Sequence, residues 1–260
     1  MKRSEPTTRR NFMRGAGMAA GSLLLSGCDG LSRAPWFRRV LSSAERLTLS
    51  AQRAVLGAND LAREYTEADL SPAFRANGST SPDDPTYQEA AANGFATWRL
   101  KVDGLVDHPA EYSLADLRAM PSRTQITRHD CVEGWSCIGK WKGVPLAHVL
   151  EQVRPKAQAR YIVFHCADSL GAELDGTGQY YESIDLVDAF HLQTILAHEM
   201  NDKVLPIPHG APLRLRVERQ LGYKMAKYVM RIEAVESFAG LGRGQGGYWE
   251  DRGYEWYAGI

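Results

Sequence analysis

Two cysteines, a histidine and a tryptophan fall within ten residues of this chain, Arg128-His-Asp-Cys-Val-Glu-Gly-Trp-Ser-Cys137. A thiolate is both a nucleophile and a ligand for soft metals, so Cys131 admits three readings: half of a disulfide, a metal ligand, or a buried thiol. A bridge from Cys131 to Cys137 would close a small loop and stabilise little through loop entropy. A zinc site needs four ligands at usual spacings. Cys131, Cys137, Cys166 and His129 could supply them, yet the chain contains no Cys-x-x-Cys and no His-x-x-x-His pair. On the residues alone the three readings stay open.

The elements that must position these residues read as strands and turns from Phe95 onward. Trp98, Leu100 and Val102 alternate with Thr97, Arg99 and Lys101, and Asp103-Gly104 turns the chain. Ser113 followed by Asp116 predicts a capped short helix through Met120. Tyr161 to Cys166 and Tyr228 to Val235 are β-branched and aromatic runs that predict strands. Leu213, Leu215 and Val217 alternate with Arg214 and Arg216, which predicts a strand with its apolar side toward the core and a cationic row on the other. His129 and Arg128 fall on alternate faces of a strand, so at most one points the way Cys131 does. Before Phe95, residues 31–57 read as an amphipathic helical lead-in and residues 59–85 as an extended, proline-rich arm. The expected organisation is a mixed α+β domain over residues 95–260 with the segment 28–94 packed against it.

The 260 residues balance 31 basic against 31 acidic side chains, which removes the basic excess that a nucleic-acid partner would require. The charge is unevenly distributed. Met1 to Gly27 carries Lys2, Arg3, Arg9, Arg10 and Arg14 against Glu5 alone, and Thr8-Arg-Arg-Asn-Phe-Met-Arg14 precedes the small, apolar run Gly15 to Leu25. That run is shorter than the roughly 20 residues of a membrane span and resembles the apolar region of a twin-arginine export signal. Leu25-Ser-Gly-Cys28 resembles a lipoprotein processing box. The expectation is a signal over residues 1–27, folded export to the periplasm and a lipid anchor on Cys28. Cys131, Cys137 and Cys166 would then remain, and three thiols cannot all pair.

Cys131-Val-Glu-Gly-Trp-Ser136 followed by Trp141-Lys-Gly-Val-Pro-Leu146 resembles the molybdenum-binding segment of the sulfite oxidase superfamily. The resemblance continues through Tyr180-Tyr-Glu-Ser-Ile184, Leu196-Ala-His-Glu-Met-Asn201, His209-Gly-Ala-Pro-Leu-Arg214 and Leu221-Gly-Tyr-Lys224, in that order. It implies a sulfite-oxidase-type α+β fold and a molybdenum-molybdopterin cofactor whose metal takes Cys131 as its protein ligand, with the pterin supplying the other sulfurs. It further implies cofactor contacts at Asn77, Arg75, His209, Arg214, Gly222, Tyr223 and Lys224, with Arg216, Arg219 and Lys227 as second choices. Tyr180 and His129 would shape the substrate pocket, the phenol of Tyr180 donating to an oxo group or substrate.

The sequence departs from animal and plant sulfite oxidases in showing no immunoglobulin-like dimerisation segment after Glu236 and no haem-attachment Cys-x-x-Cys-His. The expectation is a monomeric catalytic unit that moves an oxygen atom and two electrons on a small substrate, by sulfite oxidation or sulfoxide reduction. Electrons would pass through a separate cytochrome or quinone-linked membrane subunit. The competing reading is a lipid-anchored binding protein, without catalysis, held by a Cys131 to Cys137 disulfide.

Overall fold

The computed structural model describes residues 34–55, 57, 59–171 and 178–260. The expected export signal and the expected lipid-anchor residue Cys28 lie outside the described residues. The chain divides into two compact units, residues 1–55 and 56–260. In the first, α1 (Pro35–Val55) is a helix with proline at its first position, where the missing N–H has no intrahelical partner to lose. No helix among the described residues is long and apolar enough to cross a membrane.

In the second unit, the strands are β1 (Arg99–Gly104), β2 (Ala110–Ser113), β3 (Arg123–Cys131), β4 (Trp135–Pro145), β5 (Tyr161–Ser169), β6 (Gln179–Asp185), β7 (Ile195–Met200), β8 (Lys203–Val204), β9 (Arg214–Arg216) and β10 (Val229–Val235). They form two sheets. One runs β2-β1-β10-β5-β6, and the other runs β3-β4-β7-β8 with β9 also pairing with β7. Among the described residues only the β1–β10 pair is parallel; it sets Lys101 opposite Arg231 and Val102 opposite Ile232. Short helices α2 (Pro85–Ala92), α3 (Leu114–Ala119), α4 (Leu146–Val153) and α5 (Leu186–Ala189) punctuate the strands. The fold is mixed α+β, consistent with the sulfite-oxidase type.

The main core takes residues from both sheets and from α4: Leu100, Val102, Phe164 and Ile232 from one sheet, Val144, Leu196 and Leu215 from the other, and Val149, Leu150 and Val153 from the helix. The alternation expected of residues 213–217 holds on the apolar side, since Leu213, Leu215 and Val217 all belong to this core. The other side is not solvated as a basic face would be. Arg214 and Arg216 are fully buried, with their guanidinium carbons 5.3 and 4.4 Å from the Trp141 ring centroid.

The helix over Leu114–Ala119 forms as the sequence predicts, the Ser113 and Asp116 side chains closing a capping box. Helix α2 forms where the sequence reading has only the end of an extended arm. Asp84 accepts the Tyr87 N–H at 2.7 Å and Pro85 takes the first helical position, the pattern of a capped helix start. The arm is not a loose appendage, because it shares a compact unit with the sheets. The Tyr65 N–H donates to the Ile126 carbonyl and the Ser71 N–H to that of Ile138, at 2.8 and 3.1 Å. The Gln193 amide bonds Ala62 twice, at 2.7 and 3.0 Å. Replacing the cap, Asp84→Ala, is expected to cost about 1 kcal/mol. It would appear as a lower urea midpoint with an unchanged denaturant slope.

Candidate active site

Cys131 ends β3 at the tip of a tight hairpin. It pairs with Trp135 across the turn, and the intervening Val132-Glu133-Gly134 closes with the Gly134 N–H donating to the Cys131 carbonyl at 3.0 Å. A three-residue loop of this kind needs its last residue in the left-handed region. Gly134 sits at φ +86° with nothing within 4 Å of where a Cβ would be, so the glycine is required by backbone conformation and not by crowding. The turn holds the thiol at the wall of a cavity of about 560 Å³, its open mouth included.

Asn77, Cys131, Tyr180, Gly222 and Tyr223 line that cavity, together with Glu133, Asp168, Met225, Lys227 and Trp249, among others. Cys131, Cys137 and Cys166 are all free and buried. The pairing register explains why no bridge joins the first two: Cys131 faces Trp135, whereas Cys137 faces His129. The disulfide-held alternative is therefore corrected. Zinc gains no support either, since no group of three or more His, Cys, Asp or Glu side chains among the described residues could hold a metal ion.

Of the remaining expected residues, several sit behind the wall. His129 is fully buried, with Nδ1 3.1 Å from Arg216 Nη1 and 3.2 Å from Met225 Sδ. Its ring presses on Gly222, where an added Cβ would lie 2.4 Å from His129 Cε1 and Nε2. Gly222 thus permits a close approach that no other residue could. His129 supports the wall and does not line the pocket, as Arg128 does not either, its side chain being half exposed beside Asp130. Arg75 stacks over Trp135 at 5.3 Å and is also absent from the lining.

Tyr180 reaches the cavity, but its phenol is already engaged, donating to the Tyr223 carbonyl at 2.6 Å. It presents ring surface, stacked on Tyr248 with centroids 5.5 Å apart, and has no proton free for a substrate. Lys224 is the clearest correction. Its ammonium is fully buried between the carboxylates of Glu182 and Glu250, away from the cavity lining. Burial opposes its charge, but the two carboxylates override that and raise its pKa. The Lys224 charge anchors the C-terminal segment against β6 and is not available for a phosphate.

The buried cations divide by partner. Arg216 is clamped by both oxygens of Glu218, at 2.6 and 2.9 Å, Arg219 by Asp188 at 2.6 Å, and Lys224 by its two glutamates. Arg214 and Lys227 have no carboxylate within salt-bridge distance among the described residues. Arg214 is fully buried, and it donates only through Nη1, to the His209 carbonyl at 3.1 Å. Its Nε and Nη2 are unpartnered, as are His209 Nδ1 and Asn77 Oδ1. Lys227 spends its ammonium on the carbonyls of Asn77, Ser79 and Pro208. Burial, and then the repulsion of Arg216, push Arg214 down to about 9. Burial and Arg214 push Lys227 down to about 7, and burial with the same two cations takes His209 to about 4.

Burial is the first cause of each depression, and the repulsion among these cations adds to it. Orphaned donors on a fully buried arginine, a glycine where backbone comes close, and a soft thiol at the wall together fit an anionic, phosphate-bearing, sulfur-rich cofactor. Burial raises the Cys131 thiol pKa and the Glu133 carboxylate adds to that, while the Glu133 N–H, Arg214 and Arg75 oppose it. Sequence reasoning ranked Lys227 second and missed Asp168, Met225 and Trp249. An aspartate ending the apolar run Ile162–Ala167 was the signal that could have found the first.

Comparison with known proteins agrees with this arrangement. Residues 87–239 match the family described as "Oxidoreductase molybdopterin binding domain". The chain is 35% identical over 255 residues to the "Putative protein-methionine-sulfoxide reductase subunit YedZ1" of Azospira oryzae, covering 98% of this chain and 89% of that protein. It is 37% identical over 147 residues to the "Protein-methionine-sulfoxide reductase catalytic subunit MsrP" of Ralstonia nicotianae, covering 54% of this chain and 44% of that one. The chain thus spans nearly all of the first relative and under half of the second. The solved sulfane dehydrogenase SoxCD of Paracoccus pantotrophus matches 54% of the chain and 39% of its own at 22% identity and a TM-score of 0.47.

The Lys224 cluster yields a direct test. Lys224→Met would leave two buried carboxyls without their cation, at a cost of about 3–5 kcal/mol. Burial already raises the Glu182 carboxyl, and without the ammonium it would be held protonated more firmly, so the folded state binds more protons than the unfolded one and stability falls more steeply as pH rises. Urea midpoints for the variant should therefore drop more steeply than wild type between about pH 5 and about pH 8.

Proposed function

Because the chain belongs to the molybdopterin-binding oxidoreductases of the sulfite oxidase superfamily, we propose that it is a catalytic subunit that reduces sulfoxides, including oxidised methionine in other proteins. When bound, the molybdenum cofactor supplies the two-electron redox change, and Cys131 is the protein's ligand to the metal. Arg214, His209 and Asn77 offer the polar atoms that would hold the pterin and its phosphate. Lys227 fixes the arm segment that carries Asn77, and Gly222 leaves room for the His129 ring behind the wall.

The cavity lining carries the choice of substrate. Sulfite is an anion and would need cationic groups facing it. Beside Cys131 the wall instead offers Val132, Leu170, Met225, Tyr180 and Trp249, with Glu133 and Asp168 as its acids. Its one ammonium, Lys227, is already engaged by three carbonyls. A neutral sulfoxide on an apolar side chain suits such a lining, because burial of its thioether arm contributes about 0.8 kcal/mol per methylene. The names of the two relatives point the same way.

The resemblance of residues 8–25 to a twin-arginine export signal and of Leu25-Ser-Gly-Cys28 to a lipoprotein processing box supports a periplasmic enzyme tethered to a membrane surface, with a separate membrane subunit delivering electrons. Holoenzyme purified after export should contain about one molybdenum per chain and reduce methionine sulfoxide with a reduced viologen dye, while leaving sulfite unoxidised. Cys131→Ser should abolish turnover while the far-ultraviolet circular dichroism is retained. Sulfite oxidation without sulfoxide reduction would reverse the assigned direction, and full activity in metal-free protein would end the proposal.

A further inference from the structure

We propose that Asp168 is the general acid that protonates the oxygen leaving the substrate's sulfur. This rests on the sulfoxide-reducing reading of the same cavity. Asp168 lines the cavity with Cys131 and Tyr180 and is only 4% exposed. Its Oδ1 has no hydrogen-bond partner among the described residues.

The backbone is built to aim this side chain. Strand β5 pairs regularly with β6 up to His165 opposite Tyr181, then shifts register before Ser169 meets Gln179. Such an irregularity re-aims the side chains it carries and is common beside active sites. The carbonyls it frees are not left bare, because Gln179 Nε2 donates to those of Cys166 and Asp168. The carboxyl at residue 168 lines the cavity on a backbone whose carbonyls at Cys166 and Asp168 are satisfied.

Every titratable neighbour that acts on Asp168 is otherwise engaged or apolar in character. Lys227 donates to three backbone carbonyls. The hydroxyls of Tyr87, Tyr180 and Tyr228 donate to the carbonyls of Ala211, Tyr223 and Ser79, and Cys166 is a buried thiol. Burial pushes the Asp168 carboxyl up to about 6, against the attraction of Lys227. That lies near the working pH, where a general acid is most effective. The cavity's other carboxyl, Glu133, is exposed and accepts from Trp135 Nε1 at 2.8 Å, so it is not comparably placed.

The reaction converts a sulfoxide, two electrons and two protons into a thioether and water. The sulfur–oxygen bond breaks as sulfur takes up two electrons from a quinol- or cytochrome-class donor, the redox chemistry that a bound molybdenum cofactor would supply at this site. One proton moves from the Asp168 carboxyl to the departing oxygen, and the second comes from solvent through the cavity mouth. Asp168 is then reprotonated from the same water.

The test compares wild-type, Asp168→Asn and Asp168→Glu holoenzymes, each assayed for molybdenum content and for methionine sulfoxide reduction by reduced viologen across pH. Wild-type kcat should fall about tenfold per unit as pH rises above about 6. Asp168→Asn should lose that limb and about 100-fold or more in kcat at its optimum, and Asp168→Glu should recover the limb with part of the rate. An independent readout is thermal. The folded wild type holds this proton more tightly than the unfolded chain, so its stability falls as pH rises between about 4 and about 6. Asp168→Asn should therefore melt higher than wild type at about pH 8, the difference closing at about pH 4. A metal-loaded Asp168→Asn enzyme keeping kcat within about threefold and an unchanged pH limb would overturn the inference while leaving the sulfoxide-reducing reading intact. Failure of the wild type itself to reduce sulfoxides would remove both.

Discussion

Burying a guanidinium without a counter-charge or a full set of acceptors costs several kcal/mol, and Arg214 is fully buried with neither. Three other buried cations are paired with carboxylates, Arg216 with Glu218, Arg219 with Asp188 and Lys224 with Glu182 and Glu250, whereas Arg214 and Lys227 have none within salt-bridge distance among the described residues. The shortfall is a local choice, made beside a thiol, a half-buried histidine and an ammonium that share it. The cation over Trp141 and the orphaned nitrogens persist because the surrounding sheet is stable enough to carry them, and a bound anion would offset their cost. Burial first, and then the Arg214 charge, depress the basicity of His209 and of Lys227.

Two segments outside the regular sheets complete the site. The arm brings Asn77 and Ser79 to the cavity and is fastened there by Lys227 and by the Tyr228 hydroxyl, which reaches the Ser79 carbonyl at 3.0 Å. From the other end of the chain, Trp249 joins the wall and Glu250 pairs with Lys224 directly beneath the turn that carries Gly222 and Tyr223. The wall therefore depends on contacts that are remote in sequence, and its rigidity comes from charge pairs that never touch a substrate.

The strands were legible where side-chain alternation is strict, as at Leu100 and Val102 or Leu213, Leu215 and Val217. So was the Ser113 cap, because its mechanism is local. The α2 helix was not, since Asp84-Pro85 reads equally as a turn until the chain beyond it is seen to coil. In the site, Cys131 and Gly222 were legible through a multi-part resemblance. The resemblance could not say what each charge would meet: Lys224 and Lys227 are three residues apart, and only the fold decides that one faces two carboxylates and the other the cavity. Tyr180 illustrates the same limit, because a hydroxyl's availability depends on a carbonyl 43 residues away. Asp168 shows in the sequence only as an acid closing a largely apolar run, since the register shift that aims it is a property of two strands.

The recognised family segment, residues 87–239, is not a transplantable piece. The clasp on the arm at Asn77 and Ser79 and the tie to Glu250 both cross its edges. A graft of that segment into another scaffold, or a chimaera joined at either edge, would inherit the unmatched arginine without the two flanks that enclose it, so the smallest portable unit of this catalyst must include both.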